Sequence, residues 1–257
     1  MSKAIFKIRL LIISIVISSL VVSCASREDI VYFQNAKSFE TIVDTETFEA
    51  KLKVGDILQI YISTQNPVIT KPYNIVVESG SSSQLIDYLI DKDGNIDFPV
   101  LGKIKLVGLT VEEAKSLIKS KFTEGQLLKD PVVILRISNF RITVTGEVNV
   151  PGVYNVSGEK ISILEALGMA GDLTIKGRRD NILIIRDFNG SKTYTRLDIT
   201  SKEVFNSPVY YLTQNDVVYV EPNKSAISGA AADTRIGTII SVASFVFTTA
   251  IIFVTRN

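Results

Sequence analysis

The sequence predicts an α+β fold made of two small modules, each a sheet with one helix laid across it. Three observations carry this. Between residues 50 and 222 the chain is rich in short Val/Ile runs broken by Gly, Asn, Asp and Pro, the pattern of strands and turns. Two helix starts of the same kind punctuate that region. A turn-plus-strand motif also recurs at its two ends: Lys53-Val-Gly-Asp56-Ile-Leu is echoed by Thr213-Gln-Asn-Asp216-Val-Val. Two copies are too few for a solenoid, so they indicate two related modules.

The elements follow in order. Strands are expected over 57–63, 74–77, 85–90, 95–98, 132–137, 142–147, 152–155, 181–186, 192–197 and 217–220. Asp91-Lys-Asp-Gly94-Asn reads as a turn, with Gly94 able to take φ > 0. Gly102-Lys-Ile-Lys-Leu-Val-Gly108 parallels Gly146-Glu-Val-Asn-Val-Pro-Gly152, and each reads as glycine, alternating strand, glycine. A helix follows each. Thr110-Val-Glu-Glu113 and Ser162-Ile-Leu-Glu165 are capping boxes, in which the hydroxyl accepts from an early helical N–H and the Glu reaches back. The first helix is expected to run to about Lys121, and the second to end at Gly168 or Gly171.

The two ends have a different character. Lys3, Lys7 and Arg9 precede an apolar stretch over 10–22 that is too short to span a hydrocarbon core of about 30 Å. It reads as a signal peptide over 1–23, with Ser23 before Cys24 suiting cleavage at that bond. Near the C-terminus, 236–254 carries no charge, with Arg235 before it and Arg256 after it. As a helix this run rises roughly 28 Å, which matches a membrane core. Gly237, Ser241, Ser244 and Thr248 share one face of it, and Ile240, Phe247 and Ile251 lie on another. A small-polar stripe suits close helix packing or a wall facing water, and a plain anchor is the other reading.

Composition excludes several chemistries. The 257 residues hold 28 Lys plus Arg against 27 Asp plus Glu, no His and one Cys. Near-neutral charge gives no reason to expect a nucleic-acid partner. Disulfides, His-based acid–base catalysis and His/Cys metal sites are removed together. No cofactor, metal or catalytic residue is expected. Asp91, Asp93 and Asp97 are the nearest carboxylate cluster, and they read as a solvated turn, since a glycosidase needs two carboxyls held in a cleft. Arg178 and Arg179 are candidates for contact with an acidic glycan or a subunit, against the plainer reading of a solvated loop. Tyr210, Tyr211 and Tyr219 read as sheet packing.

These motifs in this order resemble the bacterial polysaccharide export (Wza-like) family of outer-membrane lipoproteins. Leu20-Val-Val-Ser-Cys24 is similar to a lipobox, in which the cysteine is acylated. The Lys53–Ile60 strand, the Asp91–Gly102 hairpin, the Gly108–Ala114 helix start and Asp130-Pro131-Val-Val resemble the export domain. Val144–Tyr154, Leu164–Leu173 and Tyr211–Val220 resemble a soluble-ligand-binding β-grasp (SLBB) domain. The resemblance implies a signal peptide over 1–23, a linker over 24–47, an export domain over 48–138 and an SLBB domain over 139–223. A C-terminal linker and transmembrane helix follow over 224–257. It also implies a homo-oligomeric ring, octameric where best known, that conducts capsular or exopolysaccharide outward. The ring would sit in the outer membrane, lipid-anchored, with the bulk of the chain in the periplasm. Its inner-membrane partner would be a polysaccharide co-polymerase. A lipid-anchored sugar-binding module without channel activity is the alternative.

Overall fold

The computed structural model describes residues 30–36, 49–79, 82–188, 190–231 and 234–256. Cys24 and the 1–23 signal-peptide expectation lie outside them. The first module runs through β1 (Ile57–Ser63), β2 (Val76–Ser79), β3 (Ser82–Leu85), β4 (Asp87–Leu89), β5 (Asn95–Phe98), β6 (Gly102–Lys105), α1 (Val111–Glu124) and β7 (Val132–Ile137). β1 is the centre of a three-stranded antiparallel sheet, between β4 and β7. Its side chains alternate. Leu58, Ile60 and Ile62 are buried, while Gln59 and Tyr61 face outward, as a half-buried strand requires. α1 turns Val111, Ala114, Ile118 and Phe122 onto the core, a helical stripe. Phe122 packs edge-on to Tyr73 and Phe98, at centroid distances of 4.8 and 6.1 Å. Each such aliphatic or aromatic burial is worth about 1.5–3 kcal/mol.

Local chemistry fixes the turns and starts. Thr110 accepts from the Glu113 N–H at 3.2 Å, and Glu113 accepts from the Thr110 N–H at 2.8 Å. The Asp91 carboxylate accepts from the N–H groups of Asp93 and Asn95 at 2.9 and 2.8 Å. Those bonds hold it below the ordinary carboxylate range. Gly94 takes φ +84°, and a Cβ there would sit 2.1 Å from a Val107 methyl, so glycine is required twice over.

The second module comprises β8 (Arg141–Gly146), β9 (Gly152–Asn155), β10 (Ile161–Ser162), α2 (Ile163–Met169), β11 (Gly177–Phe188), β12 (Ser191–Leu197), β13 (Tyr211–Leu212) and β14 (Val217–Pro222). Its five-stranded sheet has the order β12-β11-β14-β8-β9. The last strand to be made, β14, sits at the centre and pairs parallel to β8. Ile142, Val144, Ile163, Ala166, Leu167, Ile182, Ile184, Val218 and Val220 form its core. Ser162 and Glu165 make the second capping box.

Three expectations change. The single strand expected over 85–90 is split at Ile86 into β3 and β4, which pair with β2 and β1 respectively. Gly146–Gly152 is not a counterpart of Gly102–Gly108: β6 is a strand, whereas β8 ends at Gly146 and the chain turns back, held by a bridge between Val148 and Leu173. Finally, α3 (Lys224–Ala231) and α4 (Thr234–Arg256) follow β14. α4 covers the 236–254 run, yet among the described residues no helix is long and apolar enough to cross a membrane. Gly237, Thr238, Ser241, Ser244, Thr248 and Thr249 dilute the apolar content. The structure therefore supports a helix over this run, and not by itself a membrane span.

Candidate functional site

Two places bring distant parts of the chain together. The first is the junction between modules, where the two echoed turns face each other. In the first turn the Lys53 N–H donates to Asp56 Oδ2 at 2.8 Å, and Gly55 takes φ +88°. In the second the Thr213 N–H donates to Asp216 Oδ2 at 2.7 Å, and Asn215 takes φ +65°. The same short-range chemistry builds both: an Asp side chain closes a turn whose third residue tolerates the left-handed region. Lys53 Nζ then crosses to donate to Thr213 Oγ1 at 2.9 Å. Asn139 also ties the modules. Its Oδ1 accepts from the Ile57 N–H at 2.9 Å, its Nδ2 donates to Gly55 O at 3.0 Å, and its own carbonyl accepts from Gln214 Nε2 at 2.6 Å.

The electrostatics of the two turns differ. Asp216 is fully buried and takes three bonds from the Arg186 guanidinium, at 2.7 to 3.1 Å. Asp56 is buried without such a cation, and desolvation raises its carboxyl pKa. Burial lowers the Lys53 ammonium pKa, and the neighbouring Arg186 adds to this, while Asp216 opposes it.

The second place is the loop from Asp172 to Arg179, which accepts hydrogen bonds from both Tyr32 and Asn223. Residues 30–36, inside the expected 24–47 linker, lie along the second module as a strap. The N–H groups of Phe33 and Gln34 donate to Ile199 O and Thr200 O at 3.2 and 2.7 Å. Phe33 stacks on Phe205 at 5.2 Å, and Asn35 Oδ1 accepts from the Lys202 N–H at 2.7 Å. The Tyr32 hydroxyl donates to the Asp172 carboxylate, and burial with that bond pushes the phenol pKa up. At the other end of the chain, the Asn223 N–H donates to Lys176 O at 2.7 Å and its Nδ2 to Ile175 O at 3.2 Å, just before α3.

The residues singled out from sequence fall as follows. Arg178 and Arg179, neighbours on β11, point to opposite faces. Arg178 is half-buried and pairs with Asp180 at 2.8 Å and Glu221 at 3.5 Å. Arg179 is buried under the Tyr32 ring at 5.7 Å and donates to Gly177 O at 3.0 Å. Gly237, Ser241, Ser244 and Thr248 are all exposed on α4. Ser241 Oγ donates to Gly237 O at 2.9 Å and Thr248 Oγ1 to Ser244 O at 2.7 Å, so these hydroxyls are satisfied within their own helix. Cys24 is outside the described residues. Among the described residues no group of His, Cys, Asp and Glu could hold a metal ion. Sequence reasoning missed the strap, whose signal is the apolar run Ile30-Val-Tyr-Phe33 between polar flanks. It also missed Asn139 and Arg186, which carry no local signal.

The fold and these two places define a two-module α+β scaffold whose ends leave a common base. A family profile described as "Polysaccharide biosynthesis/export protein" matches residues 44–138, and one described as "SLBB domain" matches residues 141–196. The chain thus carries a domain of the polysaccharide biosynthesis/export type followed by an SLBB domain. It is similar to proteins named "EPS I polysaccharide export outer membrane protein EpsA" from Ralstonia solanacearum and Ralstonia nicotianae. It is 27% identical to each over 188 residues, covering 68% of this chain and 48% of the relative. The chain thus spans about half the length of the curated relatives it matches.

Proposed function

We propose that the chain is an outer-membrane lipoprotein subunit of an oligomeric channel that passes capsular or exopolysaccharide across the periplasm and outer membrane. The observation that carries this is the common base. The strap that leads back toward Cys24 and the residue that starts α3 are hydrogen-bonded to one loop of the SLBB module. Ile30 lies six positions after Cys24. An extended segment of that length reaches about 20 Å. An acyl chain on Cys24 and the uncharged run of α4 would then meet one bilayer from one end of the molecule. The names of the relatives support the substrate class and the membrane.

A conduit performs no covalent step. It needs a wet lumen, subunit interfaces and a closed wall. A ring of helices closes such a wall because each satisfies its own backbone. α4 suits a ring better than a lone span: in the stripe of Gly237, Ser241, Ser244 and Thr248 the hydroxyls of Ser241 and Thr248 are satisfied within the helix, and multiple helices share the cost of the polar content. The acyl chains on Cys24 contribute about 0.8 kcal/mol per buried CH₂, enough to hold each subunit at the membrane before the helices insert together. The export domain at the other end would face an inner-membrane co-polymerase. Arg178, half-buried and paired with Asp180 and Glu221, is the more available of the arginine pair for a glycan or neighbouring subunit, since Arg179 is buried.

Negative-stain images of the detergent-extracted full chain test the reading. Rings, octameric by family resemblance, are expected. A monomer that binds glycan would replace the channel with a lipid-anchored sugar-binding module.

A further inference from the structure

The base of the SLBB module is built from three turns that lie side by side. The Val150 N–H donates to Ala170 O at 2.8 Å, and the Asn149 N–H to Asp172 O at 3.0 Å. The Asn223 N–H donates to Lys176 O, and the Ile227 N–H to Asn223 O at 3.1 Å. These bonds gather four apolar side chains that no part of the described chain covers. Val150 is 58% exposed, Met169 42%, Ile175 65% and Ile227 56%. The core of this module is complete without them. Lys176 and Lys224, both exposed, lie beside them.

We infer that this cluster is an interfacial membrane contact: Val150, Met169, Ile175 and Ile227 dip into the headgroup–acyl boundary of the bilayer, and Lys176 and Lys224 meet anionic headgroups. The inference rests on the membrane placement proposed above and goes further, because it assigns a lipid-facing role to loops of the folded module. The occupant follows from continuity. Of the two routes to the membrane, the start of α3 bonds to Ile175 and Lys176 and the strap toward Cys24 bonds to Asp172 in the same loop. Turn-borne aliphatic side chains rimmed by lysine have the composition of an interfacial contact rather than of a span. The cluster would also fix the tilt of the module against the membrane, which two tethers alone would leave free to rock.

The test uses the full chain reconstituted into phosphatidylethanolamine/phosphatidylglycerol vesicles that carry a lipid-borne spin quencher. Single Val150→Cys, Ile175→Cys, Ile240→Cys and Leu89→Cys variants carry an environment-sensitive fluorophore, with the native chain as blank. Ile240 reports on α4, and Leu89 on the exposed face of the first module. Labels at 150 and 175 should be blue-shifted and quenched at least about twofold more than the label at 89. Quenching at 240 with none at 150 and 175 would overturn this inference while leaving the placement of α4 standing. No quenching at any of the four would remove both. A blue shift at 150 and 175 without lipid quenching would mean that protein covers the cluster, and would overturn the inference in favour of a second copy of the chain.

Discussion

Replacing Asp216 by Asn should destabilise the protein by about 3–5 kcal/mol, the usual cost of removing one partner from a buried ion pair. The geometry sets the size. Asparagine has nearly the same shape and its Oδ1 can still accept from the Thr213 N–H, now at 2.7 Å. Loss of hydrogen bonds alone would cost about 1 kcal/mol each. The larger effect is charge. The Arg186 side chain is 15% exposed and Asp216 is 0% exposed, so the guanidinium cannot recover bulk hydration when its anion is removed. Lys53 is close enough that Asp216 also stabilises its charge, and the variant leaves two cations facing each other. Asp56→Asn is the matched control. It occupies the equivalent turn and is 2% exposed, but its carboxylate accepts from the Lys53 N–H with no guanidinium bonded to it, feels the Lys53 charge less than it feels burial, and is already disfavoured by that burial. It should cost about 1 kcal/mol or less. Urea unfolding followed by circular dichroism measures both. Equal losses for the two variants, or a loss under about 1 kcal/mol for Asp216→Asn, would refute the argument that the buried charge and not the turn carries the energy.

Further outcomes follow from the same structure. Gly146→Ala should cost about 3 kcal/mol, because Gly146 has φ +92° and a Cβ would lie 2.1 Å from Val220 O. Gly102→Ala, at φ +69° with nothing within 4 Å, should cost only about 1 kcal/mol, and thermal melts of the two distinguish clash from conformation. Phe33→Ala should remove the stack on Phe205 and cost about 1–2 kcal/mol, with hydrogen exchange rising first at the N–H groups of Phe33 and Gln34. Stability should fall as pH drops below about 4.5, the ordinary value for Glu165 and Glu221. The Ser162 N–H depresses Glu165, Arg196 depresses Glu221, and Arg178 depresses Asp180. Their contribution is present above the unfolded value and lost as pH falls through the folded one. Asp56, whose pKa is raised, works the other way and softens the slope. Melting curves from pH 6 to 3 read this, and Glu221→Gln should flatten them.

What the sequence shows clearly is whatever is local. Capping boxes need only three residues of separation, and both are where Thr110 and Ser162 put them. β1, with its period of two, matches its expected bounds at 57–63. The echoed turns are legible because Asp56 and Asp216 each close on a residue three positions back. What is not legible depends on pairing choice. Ile86 separates β3 from β4 because the two flanking segments answer to different partners, β2 and β1, and nothing in 85–90 states that. The match between Gly102–Gly108 and Gly146–Gly152 is one of composition, since Gly146 ends a strand and Gly102 begins one. Arg179 reads like any exposed basic residue until the strap, from about 150 positions away in sequence, covers it.

The strap also changes what a module boundary means in this chain. Residues 30–36 belong to the second module by their hydrogen bonds to Ile199 and Thr200, yet the first module lies between them and the rest of it. The second sheet in turn waits for β14, which is central and last. The export domain is therefore closed by residues 49–138 alone, although its sheet too waits for its last strand, since β7 pairs with β1 from 69 to 79 positions away. The SLBB module cannot close until residue 222 has been made, and only then can the strap dock. Loop-closure entropy grows slowly with length, so this long return costs little more than a shorter one would. Its effect lies in timing. Residues 30–36 have no docking surface until the second module exists. Once docked, the strap is held through Tyr32 and Asp172 against the same loop that bonds to the start of α3.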